Sequence, residues 1–230
     1  MSTRNLAKEQ PASFSFSADN LALVKRIIAK YPQGRQASAV IPLLDIAQRQ
    51  EGWLTKPAIE EVAKILDMAR MRVLEVATFY TMFNLSPVGK THVQVCTSLL
   101  CWLRGSNDVV RACKEKLGVE MGQTTPDGAF TLGEVECSGA CVNAPVVQIG
   151  DDYYEDLDYA STGKLLDAFK RGEKPAHGSA TGRSGSAPAG EPIALVENPA
   201  PPPKQDFASA KAVFEKAKAE AAAKAAAPKA

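Results

Sequence analysis

The apolar positions of this chain follow two rhythms, and the change between them falls near Asn84. Before it, Leu21, Val24, Ile27 and Ile28 recur at helical intervals, with Ser17 or Asp19 placed to cap the helix and Tyr31-Pro32 to stop it. Val40, Ile41, Leu44 and Ala47 repeat the pattern in a second helix that ends at Gly52. Pro42 fits there only in the first turn, where its missing N–H costs little. Thr55 caps a third helix, with Pro57 in its first turn and Ile59, Val62, Ala63 and Leu66 inward. A fourth, Met71 to Met82, presents Val73, Val76, Ala77, Tyr80 and Phe83. Four short amphipathic helices with brief connections predict a helical bundle over residues 17–86, after a polar, aperiodic and mobile arm over 1–16. The stripe Phe79, Tyr80, Phe83 is expected in its core, because aromatic stripes at this spacing usually pack inward.

After the linker Asn84-Leu-Ser-Pro-Val-Gly-Lys90, broken by Pro and Gly, the period drops to two. His92-Val-Gln-Val-Cys96 and Phe130-Thr-Leu-Gly-Glu-Val-Glu-Cys137 alternate as strands do, and between them Val109, Val110, Cys113 and Leu117 share one helical face. Val146-Val-Gln-Ile149 and Tyr153-Tyr-Glu155 flank Gly150-Asp-Asp152 as a hairpin. A last helix, Ser161 to Arg171, buries Leu165, Leu166 and Phe169 and stops at Gly172. The fold class is therefore mixed, α+β or α/β: the helical bundle, then a β-α-β-β-β-α domain over 87–172 whose element order resembles a thioredoxin-like layout. A helix crosses between the first two strands, which makes them parallel.

From Glu173 the composition shifts to Gly, Ser, Pro, Ala and Lys, which predicts a disordered tail over 173–230. Within it, Ile193-Ala-Leu-Val196 is a short apolar patch, and Phe207 to Ala227 is rich enough in Ala and Lys for a transient helix that is marginal alone. The formal charge of +1 over 230 residues gives no strong field for nucleic acid or a membrane surface. No run of apolar residues is long enough to span a membrane, and the N-terminus lacks the apolar core of a secretory signal. Five cysteines without an export signal point to a reducing compartment, where paired cysteines bind metal or do redox chemistry.

Four of the five stand in two tight pairs, Cys96 with Cys101 and Cys137 with Cys141, each at a strand end. Such pairs, far apart in sequence, bring four thiolates to one point for a metal or an iron–sulfur cluster. Neither pair has the two-residue loop common in structural zinc sites or required by a thioredoxin-type dithiol. The four-residue gap of the first pair does occur around [2Fe–2S] clusters, whose core is broader than one ion. Spacing thus favours [2Fe–2S] and leaves zinc open. Thr97, Ser98, Arg104 and Ser138-Gly-Ala140 can supply donors to the sulfurs, while Glu134 and Glu136 oppose a rise in potential. Cys113, on the apolar helix face, is read as a buried structural thiol, and His92 and His177 as solvated. No glycine-rich phosphate loop or acid–base constellation is present, so the chain itself is expected to bind no flavin or nicotinamide.

Ala77-Thr-Phe-Tyr-Thr-Met-Phe-Asn84, Pro87-Val-Gly-Lys90, Val93-Gln-Val-Cys96, Cys101-Trp-Leu-Arg-Gly105 and Glu136-Cys-Ser-Gly-Ala-Cys-Val-Asn-Ala-Pro145, in this order, resemble the E-subunit family of NADH–quinone oxidoreductase, respiratory complex I. Its members are thioredoxin-like [2Fe–2S] ferredoxins, and the likeness runs from about Asp19 to Arg171. It implies that Cys96, Cys101, Cys137 and Cys141 ligate one [2Fe–2S] cluster. It also implies docking on an NADH-binding flavoprotein subunit that carries FMN and oxidises NADH, beside other peripheral-arm subunits. The implied location is cytoplasmic, peripheral on the inner face of a bacterial membrane, with no membrane insertion and no nucleic acid. Leu99-Leu100 departs from the family, which often has Pro or a small residue before the second cysteine; the loop's shape and the cluster's potential are what this touches. The same cysteine frame occurs in the small diaphorase subunits of NAD-linked hydrogenases and formate dehydrogenases, and a zinc-stapled, non-redox interaction module is a third reading.

Overall fold

The computed structural model describes residues 6–188. One compact unit ends at Ser186; of the second, which begins at Ala187, only residues 187 and 188 are described. The readings of Ile193–Val196 and Phe207–Ala227 lie outside the described residues.

Four helices open the chain: α1 (Ala18–Ile28), α2 (Val40–Glu51), α3 (Lys56–Ile65) and α4 (Arg70–Phe79). Their starts follow local chemistry. The Ser17 hydroxyl accepts the Asn20 N–H at 3.3 Å and the Thr55 hydroxyl accepts the Ala58 N–H at 3.2 Å, satisfying donors that a helix leaves open. Pro42 does sit in the first turn of α2, and Gly52 closes that helix in the left-handed conformation. Val24, Leu43, Leu44, Ile59, Val62, Val73 and Phe83 form their shared core.

Two expectations change here. Helix α4 ends at Phe79, since Tyr80 is extended at φ −81°, ψ 121°. The aromatic stripe is thereby split: Phe83 is buried, while Phe79 is 77% exposed and stacks edge-on against Tyr80. The arm is also not free over its described part. Leu6, Phe14 and Phe16 pack on the helical core, the Gln10 side chain accepts the Lys56 N–H, and the Gln50 amide donates to the Ser15 carbonyl. An extended segment with alternate apolar residues leaves too short a pattern to stand out from a polar arm.

The second half builds one five-stranded sheet from β1 (Thr91–Cys96), β2 (Phe130–Val135), β3 (Val147–Ile149), β4 (Asp152–Glu155) and β5 (Gly178–Ser179) in the order β2-β1-β3-β4-β5. Strands β1 and β2 are parallel, with α5 (Leu99–Leu103) and α6 (Ser106–Leu117) in the crossover; β3 runs antiparallel to both β1 and β4. Helix α7 (Tyr159–Lys170) packs beside α6, opened by a reciprocal pair of hydrogen bonds between Asp158 and Ser161. Val93, Val95, Val109, Cys113, Leu132 and Leu166 form the core of this half, and Cys113 is fully buried in it. His92, Gln94 and Gln148 alternate with these positions and stay outside that core. The guanidinium of Arg49 joins the helical half to the β3–β4 turn, its two Nη atoms each 2.9 Å from the Asp151 carboxylate. Among the described residues no helix is long and apolar enough to cross a membrane.

The shift in composition at Glu173 does not end the folded chain. Residues 173–186 return along the sheet as a strap: β5 pairs in parallel with β4, the Tyr154 hydroxyl donates to the Pro175 carbonyl at 3.3 Å, and the Ala180 N–H to the Glu155 carbonyl at 2.8 Å. Arg183 closes on Asp156 in an ion pair whose side chains are only 12% and 7% exposed. Lys174 pairs with Asp152 at 2.7 Å as well, and anchoring of this kind, by backbone pairing and ion pairs, is something apolar periodicity does not register.

Candidate functional site

Strand β1 runs out at Cys96, whose N–H donates to the Val146 carbonyl at 3.1 Å and so fixes the strand end. Three residues on, the chain coils into α5, and this short helix carries Cys101. Both sulfur-bearing residues are 2% exposed, packed with Ala144 and Val146 and bordered by Val135, Ala140 and Tyr153. The first pair therefore stands on a strand end and a helix rather than on a free loop.

The second pair stands differently. Cys137 follows β2 and is exposed; Cys141 opens a 3-10 turn, Cys141–Asn143, and is half-buried. Gly139 turns the loop between them at φ +73°, a conformation that disfavours any side chain, and its N–H donates to the Cys137 sulfur at 3.4 Å. The peptide Ala144–Pro145 is cis and leads the chain into β3.

The structure brings all four sequence-predicted thiols to one end of the sheet. The Ser138 N–H, from the second loop, donates to the Cys96 sulfur of the first pair. Within each pair the thiols perturb one another, Cys96 with Cys101 and Cys137 with Cys141, and the charge of Cys96 is felt at Cys141. Burial pushes the Cys101 thiol up to about 12, helped by its neighbour Cys96. Burial raises Cys96 as well, yet N–H donors from Ser138 and Ser98, with the Cys101 thiol and Ser98 hydroxyl, outweigh it and hold Cys96 below the ordinary thiol range. Cys141 is raised by burial, by the Cys137 thiol and by the charge at Cys96. Donors aimed at sulfur are what a thiolate-ligated cluster needs to carry its charge.

No group of three or more His, Cys, Asp or Glu among the described residues is gathered to hold a metal ion as it stands. The thiols form two couples instead, Cys96 with Cys101 and Cys137 with Cys141, and these four residues would be the ones to hold an iron–sulfur centre. Ser138 Oγ is buried without a partner inside the second loop, a polar atom left for something the loop encloses. The donor set and its surroundings fit a [2Fe–2S] cluster. The Thr97 hydroxyl donates to the Glu134 carboxylate beside Cys96, which places a negative charge next to the site.

The histidines stand apart from the thiols. His177 is exposed and faces Asp152 at 3.6 Å. His92, expected in solvent, is mostly buried, which lowers its pKa; its ring covers Gly133, where an added Cβ would come within 2.7 Å of Nε2. It lines a cleft of about 970 Å³ between the helical half and the uncovered sheet face.

Around the thiols lies an apolar rim that periodicity did not reveal. Leu99 is 68% exposed and Trp102 53%, with Leu100, Leu103 and Val142 also open to solvent. The sequence marked Leu99-Leu100 as a departure from the family and Trp102-Leu103 as part of a family motif, but not their exposure. What sets them apart is that α5 is too short to bury more than one face, and Cys101 uses it.

The family model for thioredoxin-like [2Fe–2S] ferredoxins matches residues 24–170 of this chain. The chain is 60% identical over 159 residues to the E subunit of NADH-quinone oxidoreductase from Rickettsia conorii, covering 69% of this chain and 95% of that protein. It is 58% identical over 159 residues to the protein of the same name from Rickettsia bellii, with the same coverage. An NAD+-reducing [NiFe]-hydrogenase in its air-oxidised state has a similar fold, with a TM-score of 0.50 and 19% identity over 56% of this chain and 23% of that one.

Proposed function

The chain belongs to the thioredoxin-like [2Fe–2S] ferredoxin family, and from that premise we propose that Cys96, Cys101, Cys137 and Cys141 ligate one cluster that exchanges single electrons with the FMN of a neighbouring NADH-binding flavoprotein. The chain is an iron–sulfur electron-transfer subunit of NADH–quinone oxidoreductase: its relatives are named E subunits of that enzyme, and its family is a [2Fe–2S] ferredoxin one. Hydride chemistry belongs to the partner's flavin, and this chain supplies the place where one electron waits or passes.

When bound, the cluster accepts and returns one electron, gaining one negative charge on reduction. The chain's residues manage that charge. Ser98 and Ser138 point N–H donors at Cys96, and Gly139 points one at Cys137; such donors favour the reduced form. Glu134, held by Thr97, opposes them. Leu99, Leu100, Trp102, Leu103 and Val142 form the docking face, so that the partner covers the thiol end and excludes water from it. The chain sits in the peripheral arm, on the cytoplasmic face of the membrane that holds the rest of the complex.

The observation that carries this reading is the convergence of two thiol couples at one end of the sheet inside an apolar rim. Its test is a spectrum and a binding curve. Protein purified without oxygen should be coloured, contain acid-labile sulfide and show an electron paramagnetic resonance signal once reduced. A colourless, sulfide-free protein that carries zinc would sink the proposal. Replacing Trp102 by Ala should leave the signal and weaken association with the flavoprotein by about 2 kcal/mol, roughly thirtyfold, as loss of a central interface aromatic does. Unchanged association would remove the docking face from the proposal.

A further inference from the structure

We propose that the strap over residues 173–186 is a working part of the cluster site, and that Arg183 is the positioning residue through which it holds the turn carrying Cys141. The inference rests on the reading of Cys141 as a cluster ligand.

The two couples differ in what fixes them. Cys96 and Cys101 are locked by a strand end, a helix and a packed apolar shell. The turn Cys141–Asn143 has little of its own: the Asn143 N–H reaches the Ala140 carbonyl at 3.0 Å and the Ala144 N–H reaches the Cys141 carbonyl at a long 3.4 Å. Its remaining anchors come from outside. The Asp156 N–H donates to the Asn143 carbonyl at 2.7 Å. The Asn143 amide donates to the Glu155 carboxylate and, at 2.9 Å, to the Gly185 carbonyl of the strap. Both of those partners are acceptors, so the orientation of the Asn143 amide is settled by chemistry. Arg183 Nη2 donates to the Val142 carbonyl at 3.1 Å, one residue beyond Cys141.

Arg183 can do this because of what else it holds. Its Nε lies 2.9 Å from Asp156 Oδ2, and Nη2 also reaches Oδ1, so the guanidinium plane is fixed edge-on against a buried carboxylate. The Ser179 hydroxyl, from β5, donates to the same carboxylate at 2.6 Å. Asp156 itself adopts φ +54°, a left-handed conformation that its short polar side chain tolerates. One planar cation thus ties three pieces together: the turn after β4, the strap, and the backbone beside Cys141. Lysine carries the same charge but no fork, and cannot span Asp156 and the Val142 carbonyl in fixed geometry. Because Asp156 neutralises Arg183, the residue acts by position, not as a free positive charge near the cluster.

The test uses the full-length chain with its cluster. It compares wild type, Arg183→Lys, the double variant Arg183→Ala/Asp156→Ala, Cys141→Ser, and a chain ended after Pro188. Each is followed by circular dichroism, by the resonance line shape of the reduced protein and by the rate at which a chelator removes iron. Arg183→Lys should remain folded, lose iron at least tenfold faster, and show shifted or broadened resonance lines. The double variant leaves no buried charge without a partner and should behave the same way. The chain ended after Pro188 should match wild type. A folded Arg183→Lys or double variant with wild-type lines and wild-type iron release would overturn the inference. So would failure of both variants to fold, since the strap would then be supporting the whole domain. If Cys141→Ser leaves the spectrum untouched, the ligand reading fails; if that variant changes the spectrum while the Arg183 variants do not, only the role of the strap fails.

Discussion

The two cysteine couples offer the same four-thiol chemistry on opposite kinds of scaffold. Cys96 and Cys101 are buried in a small apolar shell, on elements whose backbone is paired into the sheet or coiled into a helix. Cys137 and Cys141 lie on an exposed loop and turn, held from outside by the β4 turn and the strap. On the proposed ligand set the difference implies a division of labour: the first couple, fixed by its scaffold, would set where a cluster sits, and the second would complete its ligation from the loop. A serine exchange at each position is the sharpest way to break that comparison. Metal–oxygen bonds are shorter than metal–sulfur bonds by about 0.2–0.3 Å, so the ligand's backbone must move inward. A close-packed site resists such a shift, whereas an exposed loop absorbs it. Cys96→Ser and Cys101→Ser should therefore lose the cluster, while Cys137→Ser and Cys141→Ser should keep one with altered resonance lines. Iron and sulfide per chain, with the spectrum of the reduced protein, decide it; equal loss at all four positions would erase the distinction between the couples.

That distinction was only half legible in the sequence. The cysteines announced themselves by type and spacing, and strand alternation placed Cys96 and Cys137 at strand ends, because period-two burial is a strong local signal. The helix caps at Ser17 and Thr55 were readable for the same reason: capping is local chemistry. The strap was hidden because what holds it is long-range. Arg183 and Asp156 are distant in sequence, and a stretch of Gly, Ser and Pro looks like any linker until its one arginine finds a carboxylate. The apolar rim at Leu99 and Trp102 was hidden for a different reason. Hydrophobicity tells which residues avoid water, but not whether the chain itself or a partner covers them. The same gap explains Phe79, expected in the helical core and found 77% exposed, and His92, expected in solvent and found under the sheet face.

Cys113 sharpens the comparison as the thiol with no place in either couple. It is fully buried against the sheet, and burial alone pushes it up to about 12. Its thiolate, the reactive form, is therefore far scarcer near neutral pH than that of an ordinary exposed thiol. In the cluster-free chain an alkylating reagent should consume Cys137 first and Cys113 last, read by mass spectrometry of the labelled peptides. Cys113→Ser should leave the resonance spectrum unchanged while lowering stability by about 1–3 kcal/mol, the cost of burying a hydroxyl where a thiol packed as a small hydrophobe. A bleached but folded Cys113→Ser protein would show that ligand assignment by pairs is wrong.

The smallest expected effect tests how tightly the helical half is coupled to the thiol end of the sheet. Arg49 grips Asp151 with two hydrogen bonds and Asp45 with a third, yet both side chains are well exposed. Hydrogen bonding to Arg49 and its charge hold the Asp151 carboxyl below its usual range. A carboxylate with a depressed folded pKa adds stability above its unfolded pKa of about 3.9 and loses that contribution as pH falls through the folded value. Solvent screens an exposed pair, so Arg49→Met should cost no more than about 1 kcal/mol at neutral pH. The difference from wild type should shrink in about 1 M salt, where the screening length falls to about 3 Å, and as pH falls through the depressed folded pKa and Asp151 is neutralised. The cluster spectrum should not change, because neither the strand end at Cys96 nor the anchors of Cys141 pass through this pair. A shifted spectrum in Arg49→Met would mean that the helical half reaches the thiols through the sheet, and the couples would then not be set by their immediate scaffolds alone.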